Sequence, residues 1–142
     1  MARVLAFDFG LQRTGVAVGN SMLGTANALE TVNGSGGKPD WGRIESLIKE
    51  WSPVQLVVGL PLAENGEEND TSRQARKFAG QLGGRFGVPV ALSDERYTSI
   101  EASERLKIAR QQGRKKVVRK EEVDQLAAVL IFENWFQDQS GL

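Results

Sequence analysis

VLAFDFG, from Val4 to Gly10, is the stretch that decides the fold. It is apolar up to a single acid, Asp8, and such a run is typical of a buried central strand. A carboxylate in that setting is costly unless something pairs with it. We therefore expect the Asp8 carboxylate to be paired. Its partner is either the set of hydrogen-bond donors of a turn, since Asp before Phe-Gly favours turns, or a metal ion.

The chain around this strand predicts a mixed sheet. Two further strands, near Val16–Val18 and over Thr25–Val32, follow through short connections that suit antiparallel neighbours. After a glycine-rich loop at Asn33–Asp40, strands at Val54–Val58 and Val88–Ser93 alternate with helical segments, which is typical of parallel pairing with crossover helices. We expect three antiparallel strands followed by two parallel ones.

Four segments carry apolar residues at helical spacing, with caps or breakers at their ends. They run from Asp40 to Pro53, from Asn69 to Gly87, from Ser99 to Ala109 and from Glu121 onward. The last contains seven apolar residues in a row, Leu126–Phe132, which predicts a helix that is buried on most sides.

Composition excludes several chemistries. The 142 residues, 40% hydrophobic and 25% charged, predict one domain over 1–142 in a cytoplasmic protein with no membrane-spanning segment. The chain has no Cys and no His, which excludes a thiolate nucleophile, an imidazole base and the metal sites that those residues form. An acidic site whose ligands are all oxygen suits Mg²⁺ or Mn²⁺.

Four acids lie at the ends of apolar elements, whereas most others fall on polar loops or helix faces. They are Asp8, Asp94, Glu95 and Asp124. Three carboxylates brought together require cations or protons to neutralise them. Of Asp94 and Glu95, one is expected to be a turn or cap residue, and Asp124 alone fits a helix first-turn acid equally well. Two cations held by such a cluster can cleave phosphodiesters.

The net charge of zero does not favour nucleic-acid binding, but the distribution of charge does. Eight of the 18 basic residues and no acid fall in Arg105–Lys120, so one surface is locally cationic. Within it, Arg110–Lys120 is predicted to be a loop. We expect this loop to contact a phosphate backbone.

Four separated segments resemble, in order and spacing, the YqgF family, also called RuvX. They are DFGLQRTGVAVG, VVGLPLAENGEEN, DERYTSIEA and VDQLAAVLIFENW. The family is similar to the RuvC-type Holliday junction resolvases, and the resemblance implies an α/β RNase H-like fold, a five-stranded mixed sheet with helices on both faces. It also implies an acidic triad of catalytic metal ligands at Asp8, Glu95 and Asp124, binding two Mg²⁺ or Mn²⁺ ions. Tyr97 stands where the family is expected to have Leu.

The resemblance further implies a metal-dependent nuclease that processes the 5′ end of pre-16S ribosomal RNA, with structured RNA and a pre-ribosomal particle as partners. Resolution of branched, four-way DNA is the alternative. A resolvase needs two active sites and so predicts a homodimer. The sequence has no clear dimerisation stripe, so both a monomer and a homodimer remain open.

Eight residues near the acids are predicted to contact phosphates. Arg13 and Thr14 lie in a turn at Gln12–Gly15, Arg96 follows Glu95, and the basic loop supplies Arg114, Lys115, Lys116, Arg119 and Lys120. Arg73 and Lys77 are interpreted as solvated charges, and Trp41 and Trp51 as core residues. With Tyr97 the sole aromatic near the acids, sequence-specific base readout is not expected.

Two other functions fit parts of the sequence. A non-catalytic RNA- or ribosome-binding module would use the basic loop and not need Asp8. ATP binding is the second, because Asp8-Phe9-Gly10 followed by Gly15 resembles the first phosphate turn of the actin, Hsp70 and sugar-kinase ATPases. Those proteins need two lobes, and 142 residues accommodate one.

Overall fold

A computed structural model describes residues 2–63, 65–94 and 120–139. Within these ranges six strands and three helices form, numbered here in chain order. The strands are β1 (Arg3–Asp8), β2 (Arg13–Asn20), β3 (Thr25–Ser35), β4 (Lys38–Pro39), β5 (Gln55–Leu60) and β6 (Val90–Asp94). The helices are α1 (Trp41–Trp51), α2 (Asp70–Phe86) and α3 (Lys120–Gln139). None of these helices is long and apolar enough to cross a bilayer.

The six strands form one sheet in the order β4-β3-β2-β1-β5-β6. The pairs among β1 to β4 are antiparallel, and β1 with β5 and β5 with β6 are parallel. Residues Val4 to Phe7 of β1 have no exposed surface, as predicted for a central strand. Because β1, β5 and β6 run in the same direction, their carboxyl ends share one edge of the sheet.

The sequence predicted five strands, whereas the sheet has six in the described residues. Asn33–Asp40, predicted to be a loop, instead extends β3 to Ser35 and adds β4 in a hairpin, with Ser35 opposite Lys38. The turn residues Gly36 and Gly37 have φ of 61° and 78°. Two successive residues at positive φ form the tight turn that suits the twist of a hairpin, and glycine adopts it without steric cost.

The helices cover both faces of the sheet. α1 and α2 pack on the face that holds Leu5, Phe7 and Val58, and α3 packs on the face that holds Val4 and Ala6. The first two helices begin where their predicted caps lie. Asp40 accepts a hydrogen bond from the backbone N–H of Arg43, and Asn69 accepts one from that of Ser72.

α3 approaches β2 closely because glycines line the contact. A Cβ at Gly15 would lie 2.0 Å from the backbone oxygen of Asp124, and one at Gly19 would lie 2.4 Å from the Phe132 ring. Ala128 to Phe132 are buried, which confirms the predicted burial for the second part of the apolar run. The predicted helix Ser99–Ala109 lies outside the described residues, and so does the predicted basic loop except Lys120, which begins α3.

Candidate active site

Asp8 lies at the carboxyl end of β1, at the sheet edge where parallel strands place functional residues. Side chains alternate along a strand, so Asp8 belongs to the same face as Val4 and Ala6, which is the face that α3 covers. In the antiparallel pair with β2, Asp8 lies opposite Gly15. The central strand thus presents its only acid toward α3.

Asp124 lies near Asp8 in the fold, although the two are far apart in the sequence. It is the fifth residue of α3, and its backbone packs against Gly15, the residue opposite Asp8. Asp8 and Asp124 both line one open groove of about 460 Å³, together with Gln12, Arg13 and other residues. Two members of the predicted triad are therefore brought together. We call the groove that they line the acidic groove.

Arg13 is bonded to one of these acids. Its Nε donates to Asp124 Oδ2 at 2.9 Å, and the two side chains are 32% and 24% exposed. The sequence placed Arg13 in a turn, but β2 begins at this residue, which fixes its side chain in the acidic groove. The guanidinium neutralises Asp124 with one N–H and has four further donors for an anion in the groove.

Thr14 contributes less to this surface than the sequence predicted. Placed in a turn by the sequence, it is the second residue of β2, and only 2% of it is exposed. The other predicted site residues, Glu95, Arg96, Arg114, Lys115, Lys116 and Arg119, lie outside the described residues, and of Lys120 only the backbone is described.

Asp94 ends β6 and lies on the opposite face of the sheet from Asp8. It pairs in register with Leu60, a residue of the core beneath α1 and α2, and side chains of paired residues in neighbouring strands share a face. The backbone oxygen of Asp94 accepts a hydrogen bond from Asn134 Nδ2 of α3 at 3.0 Å. Asp94 thus ties the strand end to the helix.

The residue before it, Ser93, was not singled out in the sequence. It lies on the α3 face, is 2% exposed, and its Oγ has no hydrogen-bond partner within the described residues. A buried hydroxyl without a partner is costly. A serine in a strand gives no sequence signal, because only the register with β5 shows which face it occupies.

These residues fit a hard divalent cation as part of a ligand set. Asp8 and Asp124 offer carboxylate oxygens that line one groove. Oxygen ligands are those that Mg²⁺ and Mn²⁺ prefer. Over 2–63, 65–94 and 120–139 no three acids stand close enough to hold an ion, so a complete site needs a further ligand.

Comparisons with known proteins agree on one family. A family model described as "RuvX: Holliday junction resolvase" matches residues 2–138. A protein of Chromohalobacter salexigens, named "Putative pre-16S rRNA nuclease", is 52% identical over 139 residues, 98% of this chain and 92% of the relative. A Yersinia pestis protein of the same name is 46% identical over 138 residues, 97% of this chain and 96% of the relative.

Solved structures share the fold at low sequence identity. RuvC of T. thermophilus in complex with a Holliday junction substrate has a TM-score of 0.63 at 17% identity, covering 99% of this chain and 97% of that one. The yeast mitochondrial Holliday junction resolvase Ydc2 has a TM-score of 0.58 at 11% identity, covering 98% of this chain and 79% of that one. The predicted RNase H-like α/β fold is confirmed.

Proposed function

The chain belongs to the RuvX family, and we propose that it is a metal-dependent nuclease that processes the 5′ end of pre-16S ribosomal RNA. The observation that carries the proposal is the meeting of Asp8 and Asp124, which are 116 positions apart in the sequence, in one groove at the carboxyl edge of the sheet. The names of relatives that match nearly the whole chain at 52% and 46% identity support the substrate.

Asp8, Glu95 and Asp124 are proposed to hold the metal. A bound Mg²⁺ or Mn²⁺ would lower the pKa of a water nucleophile and stabilise charge on the leaving oxygen. The face occupied by Asp94 supports Glu95 as the third acid, because Asp94 pairs with Leu60 on the α1 and α2 side. The backbone oxygen of Asp94 accepts a hydrogen bond from Asn134, which anchors the strand end to α3.

The remaining residues of the site would position the phosphodiester. Asp8 is fixed by strand pairing and Asp124 by the packing of α3 on Gly15, so the ligands are held before substrate arrives. Arg13 is proposed to bind a phosphate oxygen through donors that Asp124 does not use. Arg96 and the basic segment Arg114–Lys120 are proposed to hold the flanking backbone. Thr14, being buried, is omitted from this set.

Removing the Arg13 guanidinium is expected to tighten metal binding while weakening RNA binding. In Arg13→Gln the cation no longer competes for Asp124, so affinity for Mn²⁺ should rise about fivefold, in line with a partly exposed ion pair. Titration of Mn²⁺ by electron paramagnetic resonance measures this without any cleavage. Arg43→Gln removes a charge paired with Glu30 and should leave Mn²⁺ affinity unchanged. Equal affinities in both variants would contradict a link between Arg13 and the metal ligands.

Junction resolution is a second candidate, supported by the family description and by the resolvase fold. It requires a homodimer with two acidic grooves, one for each nicked strand. Processing of RNA is compatible with a monomer. The two functions can therefore be separated by the substrate that is cut and by the mass of the active species.

The test compares a 5′-extended 16S ribosomal RNA precursor with a four-way DNA junction. Each is incubated with the chain in Mg²⁺, in Mn²⁺ and in chelator. We expect cleavage of the RNA alone, in the presence of either metal only. Paired symmetric nicks in the junction would instead support a resolvase. Binding of both substrates with no cleavage of either would contradict the nuclease assignment and would support the non-catalytic RNA-binding module.

A further inference from the structure

A second groove opens beside the acidic groove, on the side of α2. Its walls are α2 and the hairpin of β3 and β4, and its volume is about 430 Å³. Phe9, Leu11 and Gln74 line both grooves. The two grooves are therefore adjacent, and these residues form their common wall. We call the second one the α2 groove.

The α2 groove is electropositive. Lys38 of the hairpin and Lys77 and Arg85 of α2 line it, and no described lining residue is acidic. Neither lysine has an ion-pair partner among the described residues. Elsewhere on the same helix the arginines are neutralised, because Arg73 pairs with Asp70 and Arg76 with Glu68. Unpaired positive charge is thus concentrated on the side of α2 that faces the groove.

The base of the α2 groove is aromatic. Phe9 and Trp41 stack on the buried Phe78, and their ring centroids lie 4.7 and 5.6 Å, respectively, from that of Phe78. The Arg85 guanidinium carbon lies 4.3 Å from the centre of the Trp41 ring. Aromatic faces and arginine planes among cations are the features on which unpaired bases stack. A duplex keeps its base faces stacked inside, so this groove suits a single strand.

The lining residues of α2 form one continuous stripe. Gln74, Lys77, Phe78, Gln81 and Arg85 recur at helical spacing, and at 1.5 Å per residue the stripe is about 16 Å long. Amide and cationic side chains alternate along it, which supplies donors for phosphates and for base edges. Lys77 is exposed, as expected for a solvated charge, and it also lines the groove opposite the hairpin.

We propose that the α2 groove binds the single-stranded RNA segment adjoining the bond to be cut and leads it to Asp8 and Asp124. The identity of the substrate rests on the proposed function, but binding in the groove does not depend on cleavage. The cations hold the phosphates, and a base stacks on Trp41 in place of the Arg85 guanidinium that lies over this ring in the free protein. The described lining of the groove includes no residue of the predicted basic segment.

The first test removes charge from two positions of the stripe. In an Asp8→Asn background with chelator, binding of a fluorescent single-stranded RNA is measured by anisotropy over a range of salt. Lys77→Gln with Arg85→Gln should weaken binding on the order of tenfold and flatten the salt slope by about 1.4, since each phosphate contact in a single strand contributes about 0.7. A blunt RNA duplex should show neither change.

The matched control lies on the same helix. Arg73→Gln with Arg76→Gln removes the same net charge from cations that already pair with acids, and should leave the salt slope nearly unchanged. Thermal denaturation of both double variants verifies that each is folded at the assay temperature. Equal losses of affinity in the two double variants would overturn the proposal, because only net charge would then matter.

Tryptophan fluorescence gives an independent test of stacking. The chain has three tryptophans, and we expect single-stranded RNA to quench the emission of Trp41. In Trp41→Phe the quenching should disappear while the affinity stays within about threefold, because phenylalanine also offers a stacking face. Quenching that persists in this variant would place the RNA elsewhere.

The groove proposal and the nuclease proposal can fail independently of each other. If the RNA precursor is cut but the stripe variant binds like its matched control, the groove proposal fails and the nuclease stands. If the stripe variant loses affinity as expected while the wild type cuts nothing, the nuclease fails and the groove stands as a binding site.

Discussion

Asp8→Asn is expected to lower the rate of RNA cleavage by about a thousandfold or more, the size of loss seen when a key charge of an active site is removed. The substitution keeps the size and shape of the side chain and removes only the charge that would hold a cation. Single-turnover cleavage at saturating enzyme measures the chemical step apart from binding.

The same variant should fold at least as well as the wild type. Asp8 shares the acidic groove with Asp124, and removing one of two neighbouring carboxylates relieves the repulsion that remains beside the Arg13 ion pair in the absence of metal. Active-site acids are commonly retained at some cost in stability. The melting temperature without metal should therefore be equal or higher, and the added stability from Mn²⁺ should be lost.

Asp124→Asn distinguishes a catalytic acid from one that only stabilises the N-terminal end of α3. As a catalytic residue, it should lose cleavage as Asp8→Asn does. As an acid that only stabilises the helix end, it would lose at most about 0.3–1 kcal/mol of stability and keep its activity. Asp138→Asn is the matched control, since Asp138 is an exposed acid on the same helix, and it should cut at the wild-type rate. Cleavage that survives both Asp8→Asn and Asp124→Asn would refute the assignment.

The parts of the structure that sequence predicted are those fixed by nearby residues. The burial of β1 follows from its own apolar run, and Asp40 and Asn69 cap helices whose first turns lie within three residues of them. Asp8 could be singled out because an acid that ends such a strand has few structural uses. The directions of the strands, antiparallel first and then parallel, followed from the connections between them.

The parts that sequence did not predict depend on contacts between distant positions. Arg13 and Asp124 are 111 positions apart, and their bond exists because α3 begins beside the start of β2. The α2 groove likewise depends on the hairpin of β3 and β4. Because two glycines form its turn, the sequence pattern predicted a loop there. Ser93 becomes notable only when the register of β6 assigns it to the α3 face.

Gly15→Ala is expected to impair stability and catalysis together. The added Cβ would lie 2.0 Å from the Asp124 backbone oxygen and 2.3 Å from its carbonyl carbon. Backbone atoms cannot rotate aside as the end of a side chain can, so α3 must move at Asp124. Overpacking of this kind costs about 1–3 kcal/mol, and denaturant unfolding monitored by circular dichroism would measure the loss.

The control is a glycine where a methyl group has space. Gly84 is an exposed residue inside α2, and a Cβ there meets nothing within 4 Å. Gly84→Ala should stabilise the chain by about 0.5–1 kcal/mol, because alanine loses less backbone entropy than glycine on entering a helix. Opposite signs for the two substitutions would show that the close approach at Gly15, and not the loss of a glycine, is responsible.

The effect on cleavage should exceed what the loss of stability explains. Gly15 lies opposite Asp8 in the sheet and beneath Asp124 in the helix, so one backbone position sets the separation of both proposed metal ligands. A displacement of about 1 Å in a catalytic group can cost on the order of a hundredfold in rate. At temperatures where Gly15→Ala is still folded, we therefore expect cleavage to fall by about that factor and Mn²⁺ affinity to fall with it. A folded Gly15→Ala that cuts at the wild-type rate would show that the two acids do not act as one site.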